Sequence, residues 1–386
     1  MPKTILPPEC YTQDKWLEFE HKHIFKKLWL LACLTQQLRN ENDFVTCDLA
    51  GVPIFLQNLE GKIKAFRNSC PHKSMPIQTE LCGNRKALCP YHGWSFDCNG
   101  KVRGIPNAGL YQFSSEEKES LGLEEYPVAI LGNFIFINFE KDPPHIEDQF
   151  NASLIRILKD ASNHFSSEIS YTTFECDYNW KLNFENVTDF NHIKFVHPKS
   201  FAPLIDFAKD GAYSETFKNT SKIFDEKFST GEEIRQSSPR VSTKDISFWG
   251  RAPLPYKERW YSKFLDACDI GGHFACHIFP NVNFGSIHGE NFFLQQFNPI
   301  TPGRFLYRSW VFTSKTRDAK SLPHLLWGIH HAEKRVIDED RVLLAKLQKS
   351  LSSGERVGYI GNHEHPLISI GKWYMEKYND SLEIPH

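Results

Sequence analysis

Short runs in which apolar and polar residues alternate dominate the chain from Trp29 to Phe139. Alternation with a period of two predicts half-buried β-strands, and the clearest runs read DFVTCDL, VPIFLQN, KIKAFRN and NFIFINF. Turn-forming stretches such as LEGK and CNGK separate some of these runs. The pattern therefore predicts a small antiparallel β domain of roughly 110 residues.

Helical periodicity returns after the segment KDPP, and longer strand-like runs follow it. The apolar face of that helix is predicted to contain Phe150, Leu154, Ile157, Leu158 and Ala161. The longer runs include ISYTTFECDY and RFLYRSWVFT, and a helix-rich end follows them. A sheet followed by helices predicts an α+β fold rather than alternating βαβ units.

The division of the chain follows from these patterns. We predict a β domain at 28–142 and a larger domain formed by 1–27 together with 143–386. Within the larger domain, 205–262 is polar and irregular, which is typical of a surface insertion or of a mobile flap over a site.

Composition narrows the class of protein. The 386 residues are 40% hydrophobic and 24% charged, as in globular proteins of two domains. The 45 basic and 47 acidic residues nearly balance, so neither nucleic acid nor an anionic membrane is expected as a partner. No apolar window is long enough for a membrane span, and no signal peptide is evident. We therefore expect a cytoplasmic protein whose ten cysteines are reduced or bind metal.

Two loops of the β domain combine cysteine with histidine. Cys70 and His72 form one pair, and Cys89 and His92 form a second pair sixteen residues further on. A proline follows each cysteine directly, so chance placement of core residues is a poor explanation. Structural zinc sites favour Cys-x2-Cys pairs, whereas alternating Cys and His suits a [2Fe–2S] cluster with both cysteines on one iron.

A second set of metal ligands is predicted from the segment NWKLNFENVTDFNHIKFVHP and a late helix. In the segment, His192 and His197 are candidate ligands, because the proline after His197 ends the helix and frees that side chain. Asp189, one turn before His192, can orient its ring.

The late helix KRVIDEDRVLLAKLQKSL supplies a carboxylate. Asp340 lies in its predicted apolar stripe of Val336, Leu343, Leu347 and Leu351, where an acid must pair with a basic residue or bind metal. Asp338 and Glu339 are predicted to lie off the stripe, in solvent. His192, His197 and Asp340 then form a two-His-one-carboxylate triad for non-heme iron.

Both sets resemble the Rieske family. The motifs in the β domain are CPH and CPYHGWSFDCNGKVRGIP. The later motifs are NWK and EN, the single residues Asp189, His192 and His197, and a late ED whose Asp340 lies eight residues before Gln348. Met75 and Tyr91 stand where respiratory Rieske subunits have additional cysteines, so the chain is similar to the oxygenase branch. Lys73 and Ser74 replace the Arg-Gly that usually follows the first histidine.

The resemblance implies a fold and a chemistry. The fold would be a Rieske domain plus a catalytic domain whose antiparallel sheet wraps around helices, a helix-grip arrangement. The cofactors would be a [2Fe–2S] cluster on Cys70, His72, Cys89 and His92, and Fe(II), with O2 as cosubstrate. Asn186 and Asp189 fall on catalytic positions of the family, where the residue matching Asp189 connects the iron's histidine to the cluster of a neighbouring subunit.

The sequence and the resemblance predict the partners and the substrate class only in general terms. The chain has no nucleotide-binding fingerprint, so NAD(P)H would act through a separate ferredoxin or flavin reductase. A homotrimer is expected. Asp189, where quaternary-ammonium relatives tend to have Glu, favours ring hydroxylation of a small aromatic substrate. Monohydroxylation, cis-dihydroxylation and demethylation all stay open as outcomes. The alternatives are a choline- or carnitine-type monooxygenase, and an electron carrier without oxygenase activity.

Overall fold

A computed structural model of the protein describes residues 6–188, 192–204, 241–247, 249–252, 254–318, 321–354, 358–359 and 365–383. The chain forms two compact units. One is Ile24–Ile146, and the other combines Met1–His23 with Glu147–His386. The limits of the smaller unit differ by four residues at each end from the predicted 28–142 domain.

The secondary-structure elements of the two units are as follows. The strands are β1 (Leu30–Leu34), β2 (Asp43–Leu49), β3 (Val52–Leu59), β4 (Lys62–Arg67), β5 (Cys82–Asn84), β6 (Ser95–Phe96), β7 (Val102–Gly104), β8 (Glu125–Tyr126), β9 (Val128–Leu131), β10 (Phe134–Ile137), β11 (Phe165–Cys176), β12 (Trp249–Ala252), β13 (His273–Ile278), β14 (Val282–Ile287), β15 (Asn291–Thr301) and β16 (Arg304–Ser314). The helices are α1 (Asp14–Phe19), α2 (Ser115–Ser120), α3 (Ala152–Ser162), α4 (Trp180–Thr188), α5 (Ile193–Val196), α6 (Pro323–Leu351) and α7 (His365–Glu383).

The smaller unit is built from antiparallel sheets. A five-stranded sheet has the order β5-β2-β3-β4-β8, a three-stranded sheet has the order β1-β10-β9, and β6 pairs with β7. The predicted strand DFVTCDL is β2, and the predicted turn LEGK joins β3 to β4 with Glu60 and Gly61 at positive φ. The prediction of a small antiparallel β domain is confirmed.

The larger unit has one six-stranded antiparallel sheet in the order β11-β16-β15-β14-β13-β12. Helix α6 packs on β11 and β16, and α4 packs on β14 and β15. Leu154, Leu158 and Ala161 of α3 are buried, as predicted for its apolar face. The predicted α+β class is confirmed, because the helices pack on a sheet whose strands are all antiparallel.

Part of the segment 205–262 has regular structure. Its first part, 205–240, lies outside the described residues. Trp249–Ala252 forms the edge strand β12, which pairs with β13. The prediction of an irregular segment is therefore wrong for this part, whose pairing with a distant strand is not visible in its local sequence.

A buried ion pair fixes the start of α4. Lys181 Nζ lies 2.5 Å from Glu20 Oε1, and both side chains are almost fully buried. Trp180 Nε1 donates to the other carboxylate oxygen at 2.7 Å, and the Tyr374 hydroxyl donates to Oε1 at 2.5 Å. A buried charge is tolerated only when it is paired and hydrogen-bonded. These bonds hold in place the helix that carries Asn183 and Asn186.

All ten cysteines lie within the described residues, and none of them forms a disulfide. Of the helices in the described part of the chain, none combines the length and the apolar character that a membrane crossing requires.

Candidate metal centres and substrate cavity

The two Cys/His loops of the smaller unit share one backbone pattern. In the first loop, the N–H of Cys70 donates to the carbonyl of Met75 at 2.9 Å, and the N–H of Ser74 donates to the carbonyl of Cys70 at 2.8 Å. The second loop repeats both bonds around Cys89, at 2.8 and 3.0 Å. The fourth residue after each cysteine is left-handed, Ser74 at φ 55° and Gly93 at φ 71°. Two equivalent loops therefore present equivalent side chains.

The side chains of these loops group by type. The thiols of Cys70 and Cys89 are buried and in hydrogen-bond contact, and burial, followed by Cys89, raises the pKa of Cys70 to about 11. The ring centroids of His72 and His92 lie 4.5 Å apart. Both Nδ1 atoms are buried, and neither has a hydrogen-bond partner within the described residues. Cysteine thus faces cysteine, and imidazole faces imidazole.

This grouping fits a Rieske cluster. The two cysteines would lose their protons to solvent and bind one iron as thiolates. The other iron would bind the two imidazole nitrogens that have no hydrogen-bond partner in the described residues. A structural zinc site would instead surround one ion with all four donors. The geometry therefore favours the two-iron interpretation.

The described parts of the histidine segment form two stretches of helix in the larger unit. Helix α4 ends at Thr188, and α5 is a single turn that begins after His192. His197 ends α5 with a non-helical conformation, φ −115° and ψ 42°, as predicted from the proline that follows it. Asp189, the predicted orienting residue, lies outside the described residues.

His192, His197 and Asp340 converge. One ligand atom from each lies within 4.8 Å of the others. Asp340 Oδ1 is 3.0 Å from His197 Nε2 and 3.8 Å from His192 Nε2. Burial alone would lower the pKa of His197, but its hydrogen bond with Asp340 and the charge of Asp340 raise it. Two imidazoles and one carboxylate around a common point fit a facial triad for non-heme iron.

Glu339 is bound to the triad and is not a solvated residue, so the prediction for it is wrong. Its Oε2 lies 2.7 Å from His197 Nδ1 and accepts a hydrogen bond from the Ser200 hydroxyl at 2.5 Å. Burial alone would raise the pKa of Glu339, but the hydrogen bonds from Ser200 and His197 lower it. The carboxylate therefore fixes Nδ1 of His197 as the protonated nitrogen and leaves Nε2 for a metal. Asp338, in contrast, is half-exposed and pairs with Lys334, as predicted for a solvated residue.

We expect Glu339→Gln to weaken iron binding by about 10- to 100-fold, because the neutral amide no longer raises the basicity of His197. The dissociation constant for Fe(II), measured by chelator competition, checks this. Asp338→Asn is the matched control, since it removes a carboxylate charge from the same helix without touching a ligand. Equal weakening in the two variants would contradict a specific role of Glu339.

A cavity of about 540 Å³ opens onto the triad. All three triad residues line it, and so does Asn186, one of the predicted catalytic residues. The cavity wall also includes two carboxyl groups, two amides and two aromatic rings, from Glu290, Glu333, Asn283, Gln295, Phe293 and Tyr307. Sequence reasoning missed Glu333, although its position seven residues before Asp340 places it on the same helical face.

Two family models match the chain, one in each unit. The Rieske [2Fe-2S] domain matches 28–121, and the ring hydroxylating alpha subunit (catalytic domain) matches 166–380, more than half of the chain. The chain belongs to the Rieske oxygenase alpha subunits. The predicted family is confirmed, and with it a Rieske cluster, a mononuclear iron and O2 as the expected cofactors and cosubstrate.

Curated relatives of this alpha subunit have different substrates in their names. The chain is 28% identical over 218 residues to the glycine betaine monooxygenase oxygenase subunit of Pseudomonas aeruginosa, 55% of this chain and 50% of that protein. It is 30% identical over 210 residues to the chloroplastic choline monooxygenase of Atriplex hortensis, 52% and 47% of the two chains. It is 26% identical over 196 residues to the anthranilate 1,2-dioxygenase large subunit of Acinetobacter baylyi, 49% and 41%. The matches span about half the length of these relatives.

Solved structures share the fold. A quaternary ammonium Rieske monooxygenase studied for carnitine oxidation superposes with a TM-score of 0.73 at 18% identity, covering 99% of this chain and 96% of that chain. Naphthalene 1,2-dioxygenase from Rhodococcus sp. superposes with a TM-score of 0.71 at 15% identity, covering 97% and 95%. The predicted combination of a Rieske domain with a mixed catalytic domain of helices and antiparallel sheet is therefore confirmed.

Proposed function

We propose that this protein is the catalytic subunit of a Rieske non-heme iron oxygenase, and that its Rieske domain is 28–142. The observation that carries the proposal is the convergence of His192, His197 and Asp340 on a cavity, in a chain that also carries a Cys/His cluster site. When bound, the cluster passes single electrons and the Fe(II) activates O2 for insertion into an organic substrate. Electrons come from a separate ferredoxin or flavin reductase.

The chain's own residues bind and orient the groups that react. Cys70 and Cys89 hold one iron of the cluster, and His72 and His92 hold the other. In the larger unit, Glu339 and Ser200 fix the ring of His197. Asn186 contacts the cavity, where its amide can hydrogen-bond to substrate or to water.

The substrate is a small organic molecule. Aromatic compounds and quaternary ammonium compounds are both candidates, since relatives named for each are similar to this chain. The aromatic side chains Phe293 and Tyr307 in the cavity wall suit either class, by ring stacking or by cation–π contact.

Iron content and oxygen uptake together test the proposed function. The purified holoenzyme should contain three irons per chain, two in the cluster and one mononuclear. With a reductase and NADH, it should couple O2 uptake to oxidation of a compound from one of the two substrate classes. An electron carrier would contain two irons and would show no substrate-dependent uptake.

We also propose that the subunits form a homotrimer in which Asp189 joins His192 to His92 of the next subunit. About 100 residues separate His92 from His192 along the chain, and they belong to different units. A head-to-tail ring would give every iron a neighbouring cluster.

Asp189→Asn should therefore keep both metals and the trimer but slow single-turnover oxidation severely, because the amide is a poor substitute for a bridging carboxylate. Rapid-quench single-turnover kinetics measure this, with sedimentation velocity as the control for assembly. A monomer with full activity would contradict the proposal.

A further inference from the structure

One carboxyl group in the cavity has no part in the metal triad. Glu333 lies on α6 two turns before Asp340, on the same face of the helix. Seven residues of helix rise by roughly 10 Å, so a molecule of a few carbons can extend from Glu333 to the triad. In the described residues, Glu333 forms no ion pair.

Two amides hold this carboxyl in place. Gln295 of β15 donates from Nε2 to Glu333 Oε1 at 2.6 Å. Asn283 of β14 donates from Nδ2 to Gln295 Oε1 at 3.0 Å. Because the Asn283 amide occupies the Gln295 oxygen, the Gln295 amide is oriented to give Glu333 a donor. The Gln295 donor favours the ionised carboxylate over the protonated acid.

The carboxyl is balanced between its two protonation states. Burial raises the pKa of Glu333 to about 7, the hydrogen bond from Gln295 lowers it, the charge of Asp340 raises it and that of His197 lowers it. A positive charge in the cavity would therefore stabilise the ionised form at neutral pH.

Aromatic side chains also contribute to the cavity wall. Phe293 and Tyr307 line the same cavity, and Tyr307 is fully buried. Aromatic faces attract an ammonium group that has been removed from water. A neutral hydrocarbon ring in the cavity would instead displace water from Glu333 without forming a hydrogen bond or an ion pair with it. This desolvation makes the binding free energy less favourable.

We propose that Glu333 binds the positively charged nitrogen of an N-methylated ammonium substrate, with Gln295 and Asn283 positioning its carboxylate. This inference rests on the proposed oxygenase function and deepens it, since it selects the ammonium class over the aromatic one. In this proposal Glu333 contacts the substrate and is not an iron ligand.

The test compares probes that carry a trimethylammonium group with isosteres of the same shape that lack its positive charge. Choline and glycine betaine are each paired with the isostere in which a tert-butyl group replaces trimethylammonium. Isothermal titration calorimetry on the iron-loaded enzyme should show at least one of the two ammonium probes binding about tenfold or more tightly than its isostere. Glu333→Gln should remove that preference by raising the dissociation constant of the cation, while the dissociation constant of the neutral choline isostere should change by less than about twofold.

Glu333→Asp and Glu290→Gln complete the design. Asp keeps the charge and should restore part of the preference, while Glu290, which accepts a hydrogen bond from Tyr256 at 3.3 Å, is a second cavity acid whose loss should leave the preference intact. The inference is overturned if neither trimethylammonium probe binds better than its isostere, or if Glu290→Gln alone removes the preference. It is also overturned if Glu333→Gln lowers kcat equally for the trimethylammonium probes and for their isosteres.

Failure of the inference is distinguishable from failure of the proposed function. Coupled oxidation of aromatic compounds without any ammonium preference would leave the oxygenase function standing and remove the role of Glu333. Absence of mononuclear iron would instead remove the oxygenase function, whatever the binding measurements show.

Discussion

Asp340→Ala is expected to abolish substrate oxidation while leaving the cluster spectrum intact. Asp340 is the only carboxylate of the triad, and its Oδ1 lies 3.0 Å from His197 Nε2. Its removal leaves two imidazoles, which are too few protein ligands for a facial triad. Iron should fall from three to two per chain. Turnover should fall by more than about 100-fold, a larger effect than mutation of a residue that only hydrogen-bonds to a metal ligand. Iron analysis, visible absorption and O2 uptake measure the three quantities.

Asp338→Ala is the matched control for that prediction. Asp338 pairs with Lys334 and lies 3.3 Å from Arg341 on the exposed side of α6. Exposed pairs of this kind contribute about 0–1 kcal/mol, so iron content and turnover should stay close to wild type. If Asp338→Ala removed the iron and Asp340→Ala did not, the assignment of the carboxylate ligand would be reversed.

The choice of Asp340 from the sequence rested on a helix register that is only partly right. The predicted stripe included Leu343 and Leu347, but each is 44% exposed. The buried face of α6 after the triad contains Leu344 and Gln348 instead. Val336 and Asp340 both line the cavity, so the register is right for this part of the helix although the stripe beyond it is wrong.

The error has a physical cause. Leucine occupies both 343 and 344, so apolar periodicity permits two registers of the helix. The register is decided by Gln348, whose side chain accepts from the N–H of Asn179 at 2.9 Å and donates to the carbonyl of Tyr11 at 3.0 Å. A buried glutamine is favourable only when such partners exist, and they are 169 and 337 residues away in sequence.

Local signals were sufficient where the chemistry is local. The Cys/His loops could be predicted as a site because four candidate ligands and their turn residues lie within one short stretch, and the non-helical conformation of His197 because a proline follows it. Glu333 and Glu339 could not be assigned in this way. Their roles depend on Gln295 and Ser200, which only the folded sheet and helices bring to them.

His92→Ala is expected to remove the cluster and, with it, all reductase-coupled turnover. The Nδ1 atom of His92 is buried and, as far as the described residues extend, without a hydrogen-bond partner, so we infer that it ligates iron. Its loss leaves one iron of the pair with a single imidazole. The red-brown colour and the electron-resonance signal of the reduced protein should disappear, and iron should fall from three to one per chain if the mononuclear site stays loaded. Tyr91→Phe in the same loop is the control, because it removes only the hydroxyl from an exposed ring that packs on His92 at 3.8 Å.

The same measurement decides between the cluster and zinc. A zinc ion would draw Cys70, His72, Cys89 and His92 around one centre, and the protein would be colourless with one zinc per chain. The two thiols are in contact with each other and the two imidazoles with each other, as two separate irons require. His92→Cys should then shift the electron-resonance signal away from that of mixed Cys/His ligation, since thiolate replaces imidazole on one iron only. A colourless wild-type protein, or a signal unchanged by His92→Cys, would show that His92 is not a cluster ligand.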